Sequence, residues 1–135
     1  MAQDKRVGIV LVSHSKEVAD SVASLAVGLS GVADARVTSA GGLPGGGLGT
    51  SAELITEAAH RVDGGAGVAL LVDLGSAVLT VKTLLAEGDE LPEPARLVDA
   101  PLVEGAVAAV VTASGGADLE TVAAAAEEAY TYRKL

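Results

Sequence analysis

Val7-Gly8-Ile9-Val10-Leu11-Val12-Ser13-His14-Ser15 starts with six residues that carry no polar side chain and ends with three that do. A short apolar run closed by a polar turn reads as a strand buried on both faces, the kind found in parallel sheets. The pattern after it is helical: Val18, Val22, Leu25, Ala26 and Leu29 fall on one stripe that stops before Gly31. Residues 35–40 form a second, weaker strand. A glycine-dense loop over 41–49, containing Pro44, separates it from Thr50-Ser51-Ala52-Glu53. That tetrapeptide has capping-box spacing and opens a helix with Leu54, Ile55, Ala58, Ala59 and Val62 on its apolar side.

The same alternation then repeats. Gly64-Gly65 ends the helix, and residues 67–72 read as the third strand. Asp73-Leu74-Gly75-Ser76 turns into a third helix bearing Val78, Leu79, Val81, Leu84 and Leu85. An acidic, proline-containing connection over 87–94 leads to a fourth strand at 96–99. Pro101-Leu102-Val103-Glu104-Gly105 leads into a fourth helix through Val111, and Asp118 caps a last helix from Leu119 to about Tyr132. Strands alternating with helices imply a mostly parallel sheet covered on both faces. With right-handed crossovers this is a small, doubly wound, four-stranded α/β fold. The 135 residues make one domain, with no internal repeat or linker; the final residues, Thr131 to Leu135, read as a loose end.

Composition removes several classes of function. Half the residues are hydrophobic, so global disorder is excluded. Cysteine is absent, which excludes disulfide scaffolds, thiolate–zinc sites, iron–sulfur clusters and thiol catalysis. Eighteen acidic residues against nine basic ones leave a net charge of −9, so nucleic acid and anionic membranes are poor partners. Phe and Trp are missing and the two tyrosines, Tyr130 and Tyr132, sit at the end, so there is little equipment for stacking on bases or flavins. No apolar run approaches the ~20 residues of a membrane span. The start, Met1-Ala2-Gln3-Asp4-Lys5-Arg6, carries no secretory signal, and a cytoplasmic location is expected.

Three polar clusters follow the predicted strands: Ser13-His14-Ser15, the 41–50 loop, and Asp73-Leu74-Gly75-Ser76. In a doubly wound sheet those carboxyl ends share one edge, where ligands bind. His14 is either a surface or capping histidine, or a group pointing into that crevice. Asp73 is either a turn residue or a carboxylate that takes the Nδ1 proton of His14 and leaves Nε2 as nucleophile. Gly75-Ser76 and Gly49-Thr50-Ser51 open helices, whose free N–H groups and positive dipole ends hold phosphoryl oxygens without lysine; as ordinary turn and cap residues they need no function. The glycine loop lacks the Gly-Lys-[Ser/Thr] of a P-loop, and the first turn is not a dinucleotide fingerprint. Ser13 and His14 stand where a response regulator needs acidic metal ligands, and no Gly-x-Ser-x-Gly elbow marks a serine hydrolase. His60 is explained by its place late in the second helix. Glu104 either lines the site or a subunit contact or is a solvated first-turn acid, and Lys16 and Lys82 read as surface charges.

Four segments together carry a resemblance: Val10-Leu11-Val12-Ser13-His14-Ser15, Gly49-Thr50, Val72-Asp73-Leu74-Gly75-Ser76-Ala77 and Ala100-Pro101-Leu102-Val103-Glu104-Gly105. In this order they resemble the DhaM family, whose domain is similar to the mannose-type EIIA domains of the sugar phosphotransferase system. The resemblance implies an EIIA-mannose-like fold and a phosphohistidine relay. HPr would phosphorylate His14, and the group would pass to ADP held on DhaL, for phosphorylation of dihydroxyacetone by DhaK and DhaL. It implies that Asp73 orients His14, that Gly49, Thr50, Gly75 and Ser76 surround the phosphoryl group, and that the chain is a homodimer with no metal or cofactor of its own. Some family members continue into HPr-like and enzyme I-like domains. The alternatives are a mannose-type EIIA module of a sugar-uptake system and a regulatory module that signals through its phosphorylated state.

Overall fold

Every expected strand forms, displaced by a residue or two from its sequence bounds. The computed structural model describes residues 5–135. Residues 1–4, and with them the start of the segment read as free of an export signal, lie outside the described residues. The elements are β1 (Gly8–Ser13), α1 (Lys16–Ser30), β2 (Val37–Gly41), α2 (Ala52–Val62), β3 (Val68–Val72), α3 (Gly75–Glu87), β4 (Ala95–Val98), α4 (Leu102–Ser114), α5 (Leu119–Glu128) and a 3₁₀ turn, Ala129–Thr131. All pairings are parallel, in the order β2-β1-β3-β4.

The period of two along each strand divides the apolar residues between two cores. Ile9, Leu11, Ala69, Leu71 and Val98 pack with α1, α4 and α5 on one face. Val10, Val12, Ala40, Leu70 and Val72 pack with α2 and α3 on the other. Both strands of the central pair are therefore apolar at every position up to their carboxyl ends. Burying a side chain such as Leu70 or Leu71 completely is worth about 1.5–3 kcal/mol. The helices opposite contribute mainly alanine and valine, so they approach the sheet closely.

Close approach sets a demand at Gly41. A Cβ there would stand 2.5 Å from the Ser15 carbonyl oxygen and 2.6 Å from the Lys16 Cα. The end of β2 thus lies directly against the start of α1, next to His14.

Register decides where the polar clusters meet. Ser13 pairs with Gly41, and Val12 pairs with both Ala40 and Val72. The chain leaves all three strands at one level, at the β1/β3 boundary where the strand order reverses. Among the described residues no helix is long and apolar enough to cross a membrane.

Three local expectations need correction. The capping box does not form: Ser51, with an extended backbone, caps α2 by accepting from Leu54 N at 3.2 Å. The helix starts one residue later than Thr50 would set it, so Glu53 is not three residues beyond the cap. His60 does more than face its own helix end, because its Nε2 donates to the Glu90 carbonyl at 2.8 Å and ties α2 to the α3–β4 connection. The carboxyl-terminal residues are not all loose. Helix α5 stops at Glu128 and the 3₁₀ turn carries Tyr130, whose hydroxyl donates to Asp99 Oδ1 at 3.0 Å. Lys134 pairs with Glu104 at 3.2 Å, which makes Glu104 a first-turn acid of α4 with a local partner.

Candidate active site

The site is built around one carboxylate. Asp73 follows β3 directly, and its backbone N–H donates to the Val12 carbonyl at 3.1 Å, which holds it against β1. Its side chain reaches across that boundary. Oδ2 accepts from Ser13 Oγ and from His14 N, both at 2.9 Å. Oδ1 accepts from Leu74 N at 2.7 Å and meets His14 Nδ1 at 2.9 Å. These partners fill the roughly four lone-pair positions of an ionised carboxylate. Burial pushes the Asp73 carboxyl up, but the hydrogen bonds from the His14 backbone, the His14 ring, Ser13 and Leu74 outweigh it and hold the group below the ordinary Asp value of 3.8.

An ionised Asp73 cannot donate, so His14 Nδ1 carries the proton and donates it. In the neutral ring Nε2 is then left with its lone pair. That nitrogen faces Ser76 Oγ, the hydroxyl in the first turn of α3, which donates to it. The His14 side chain is 24% exposed and that of Asp73 17%. The ring is fixed at its inner nitrogen and open to the surface at its outer one.

Ser13 is the one buried polar side chain among the described residues, and it is fully used. It donates to Asp73 and accepts from Ser15 N at 3.1 Å. Ser15 in turn caps α1 by accepting from Val18 N at 3.2 Å. The turn that carries His14 is therefore held on both sides by hydroxyls.

The glycine-rich loop closes upon itself and upon this turn. Leu43 N donates to the Gly47 carbonyl and Gly46 N to the Leu43 carbonyl. At its two ends Gly42 N donates to the Ser13 carbonyl at 3.1 Å and Gly49 N to the His14 carbonyl at 2.9 Å. Gly49 has φ +150°, and a Cβ there would meet Leu43 Cδ2 at 2.8 Å. That backbone delivers Thr50 to the site, where its hydroxyl pairs with Thr80 on α3 at 3.1 Å.

Helix α3 begins without a side-chain cap, since its N-cap residue is Leu74. Ala77 N and Val78 N turn back to the Leu74 carbonyl. Gly75 N and Ser76 N have no protein partner among the described residues, and they lie at the positive end of the helix beside the Ser76–His14 contact. Lys82 stands apart, on a cleft of about 420 Å³ that Asp73, Asp99 and Tyr130 also line and His14 does not. Lys16 pairs with Asp20 at 2.7 Å on the surface of α1.

His14, Asp73, Gly49, Thr50, Gly75 and Ser76 thus come from three loops to one place. Gly49 enters only through its backbone, and its N–H serves His14's carbonyl, so among these residues the N–H groups without a protein partner are those of Thr50, Gly75 and Ser76. Two contributors have no role assigned in the sequence reading. Ser13 is named there only within the polar cluster and motif around His14, and its partner lies sixty residues away. Thr80 lies one helical turn after Ser76, and that i, i+4 spacing is the signal available for it.

This arrangement in a doubly wound 2-1-3-4 sheet defines a class. Residues 8–123 match the EIIA-man family, described as PTS system fructose IIA component, and the chain belongs to that family. A protein of Listeria innocua, PEP-dependent dihydroxyacetone kinase 2, phosphoryl donor subunit DhaM, is 37% identical over 106 residues, covering 78% of this chain and 84% of the relative. Within the family the chain is similar to the DhaM subunits. Subunits of the same description from Providencia stuartii and Escherichia coli are each 36% identical, over 129 and 119 residues, or 91% and 86% of this chain. The chain spans about a quarter of the length of those two relatives. A crystal structure of a protein of unknown function is 33% identical with a TM-score of 0.75, covering 91% of this chain and 94% of the other. A sigma-54 interaction domain protein from Enterococcus faecalis, at 20% identity and a TM-score of 0.66 over 93% of this chain and 91% of its own, shares the fold.

Proposed function

We propose that this domain is a phosphohistidine carrier. It takes a phosphoryl group from HPr on His14 Nε2 and gives it to ADP bound on DhaL, and DhaK with DhaL then phosphorylates dihydroxyacetone. The observation that carries the reading is the ring of His14, held by Asp73 at Nδ1 and presented at Nε2 beside an uncapped helix start. The description of the relatives as phosphoryl donor subunits agrees with it.

Atoms and electrons balance in both steps. The Nε2 lone pair attacks the donor's phosphorus as the donor's N–P bond breaks, and that bond pair returns to the donor nitrogen. His14 gains positive charge while its Nδ1 proton stays on the hydrogen bond to Asp73, whose negative charge offsets it. Ser76 Oγ, displaced from Nε2, turns its proton to a phosphoryl oxygen, and Gly75 N and Ser76 N supply further donors. In the second step a β-phosphate oxygen of ADP attacks, the Nε2–P bond breaks, and the pair returns to Nε2. Phosphoryl transfer of this kind needs alignment and charge stabilisation more than covalent help. No step needs a metal or cofactor held by this chain. The surface position of Nε2 suits a histidine that meets donor and acceptor in turn, and a homodimer leaves one such site on each copy.

The test is intact-mass analysis after incubation with phosphoenolpyruvate, enzyme I and HPr. One acid-labile phosphoryl group on the wild type and none on His14→Ala, followed by discharge on adding DhaL and ADP, is the expected result. No phosphorylation with an active control relay would overturn the carrier reading. Phosphorylation without discharge to DhaL–ADP would remove the kinase assignment and leave a sugar-uptake or signalling module.

A further inference from the structure

We infer that Thr80 is a positioning residue of the phosphoryl site, a role that rests on the carrier reading above. Its hydroxyl proton is committed, because Thr80 Oγ1 donates to the Ser76 carbonyl at 2.9 Å. In the 3.1 Å pair with Thr50, Thr80 can then act only as acceptor, so Thr50 is the donor. The direction of this bond follows from the hydrogen-bond count, although both groups are hydroxyls. Thr80 is thereby the side-chain link between two walls of the site. One wall is the end of the glycine loop, which Gly49 N fastens to the His14 carbonyl. The other is the first turn of α3, whose Ser76 hydroxyl faces His14 Nε2. Both threonines are half-buried, and no other hydrogen bond between side chains joins α3 to the 42–51 segment among the described residues. Thr80 touches neither the ring nor the place where phosphorus arrives. It sets how far apart Thr50 and Ser76 stand and which way the Thr50 oxygen points.

The experiment is steady-state and single-turnover phosphorylation of the full chain by phosphorylated HPr, comparing Thr80→Val with Thr80→Ser. Valine keeps the branched shape and a similar helix propensity but has neither the acceptor for Thr50 nor the donor to the Ser76 carbonyl, which the helix ladder already serves. The expected result for Thr80→Val is a kcat about fivefold lower, the value of one ordinary hydrogen bond, with KM for HPr unchanged. Serine should restore kcat to within about twofold. Equal kcat in wild type and Thr80→Val, a change confined to KM, or a loss that serine does not rescue would each overturn the inference. Thermal unfolding of both variants separates a folding defect from a local one. If Thr80→Val unfolds at assay temperature, Thr50→Val removes the donor of the same bond and is expected to lower kcat by a similar factor; a kcat equal to wild type in Thr50→Val would overturn the inference. Absence of His14 phosphorylation in the wild type would refute the carrier reading, whereas a normal wild type beside a normal Thr80→Val refutes only the role of Thr80.

Discussion

Replacing Asp73 with asparagine tests the core of the site. The carboxylate receives Ser13 Oγ and His14 N on one oxygen, and His14 Nδ1 and Leu74 N on the other. An amide must present its NH2 group to one of those pairs. If it faces the first pair, Ser13 can turn its hydroxyl to accept, but the His14 backbone N–H loses its acceptor. If it faces the second, Leu74 N–H loses its acceptor and the ring is driven to accept at Nδ1, which moves its proton to Nε2 and removes the nucleophile. Each orientation strands one backbone donor, at about 1–3 kcal/mol if fully desolvated and less here because the site is part-exposed. The rate suffers separately, since the charge that offsets phosphorylated His14 is gone. A unit charge pair near a protein surface is worth about 4 kcal/mol at close range, and halving that for solvent screening leaves about 2 kcal/mol, or roughly 30-fold in the rate of phosphorylation, with more if the tautomer flips.

The assay is rapid-quench measurement of His14 phosphorylation, with the ring tautomer read from long-range nitrogen–proton correlations. A wild-type ring protonated at Nδ1, and a rate for Asp73→Asn lower by roughly 30-fold or more, are expected. A rate for Asp73→Asn within about threefold of wild type, or a wild-type ring protonated at Nε2, would refute the reasoning. The pH dependence follows from the same bonds. The folded-state pKa of Asp73 is depressed, so its contribution to stability is complete above the ordinary value of 3.8 and is lost as pH falls through the lower folded value. Acid titration of stability should therefore be shallower below pH ~4 in Asp73→Asn than in the wild type.

Two further predictions concern the frame. Gly41→Ala places a methyl group within 2.6 Å of α1 backbone atoms that cannot yield as a side chain would. A loss of about 1–3 kcal/mol in denaturant unfolding is expected, together with slower phosphorylation because His14 adjoins the displaced turn; unchanged stability would contradict the packing. Ser51→Ala should cost about 1 kcal/mol and Glu53→Ala a few tenths at most, since Ser51 alone provides the cap; an equal loss from Glu53→Ala would restore the capping box.

Much of this protein was legible in its residues because local signals and tertiary structure agree. The apolar run before Ser13-His14 and its counterpart before Asp73 are strands buried on both faces, and the helical stripes between them demand crossovers. From that alternation alone, His14 and Asp73 had to leave the sheet at the same edge, as they do. The family's motif segments then supported the functional reading of those two residues, which remains the proposal made above. At Thr50 the local rule failed: the spacing to Glu53 fits a capping box, yet the Ser51 hydroxyl reaches Leu54 N and Thr50 is drawn to Thr80, thirty residues on. Cap choice between adjacent hydroxyl residues turns on the entry angle of the chain, which the packing of the glycine loop sets.

Only the tertiary structure decided how the site works. A sequence has no means of stating that Asp73 accepts from four donors, that Ser13 is buried to serve it, or that Gly75 N and Ser76 N are left over while Gly49 N is consumed. Those facts depend on the register that sets Ser13 against Gly41 and Val12 against Val72. The period-two alternation that fixes which face each residue occupies is written locally in the chain. The alignment of one strand against another is a property of the assembled sheet, and at hydrogen-bond distances it determines which nitrogen of His14 is held by Asp73 and which is turned to Ser76.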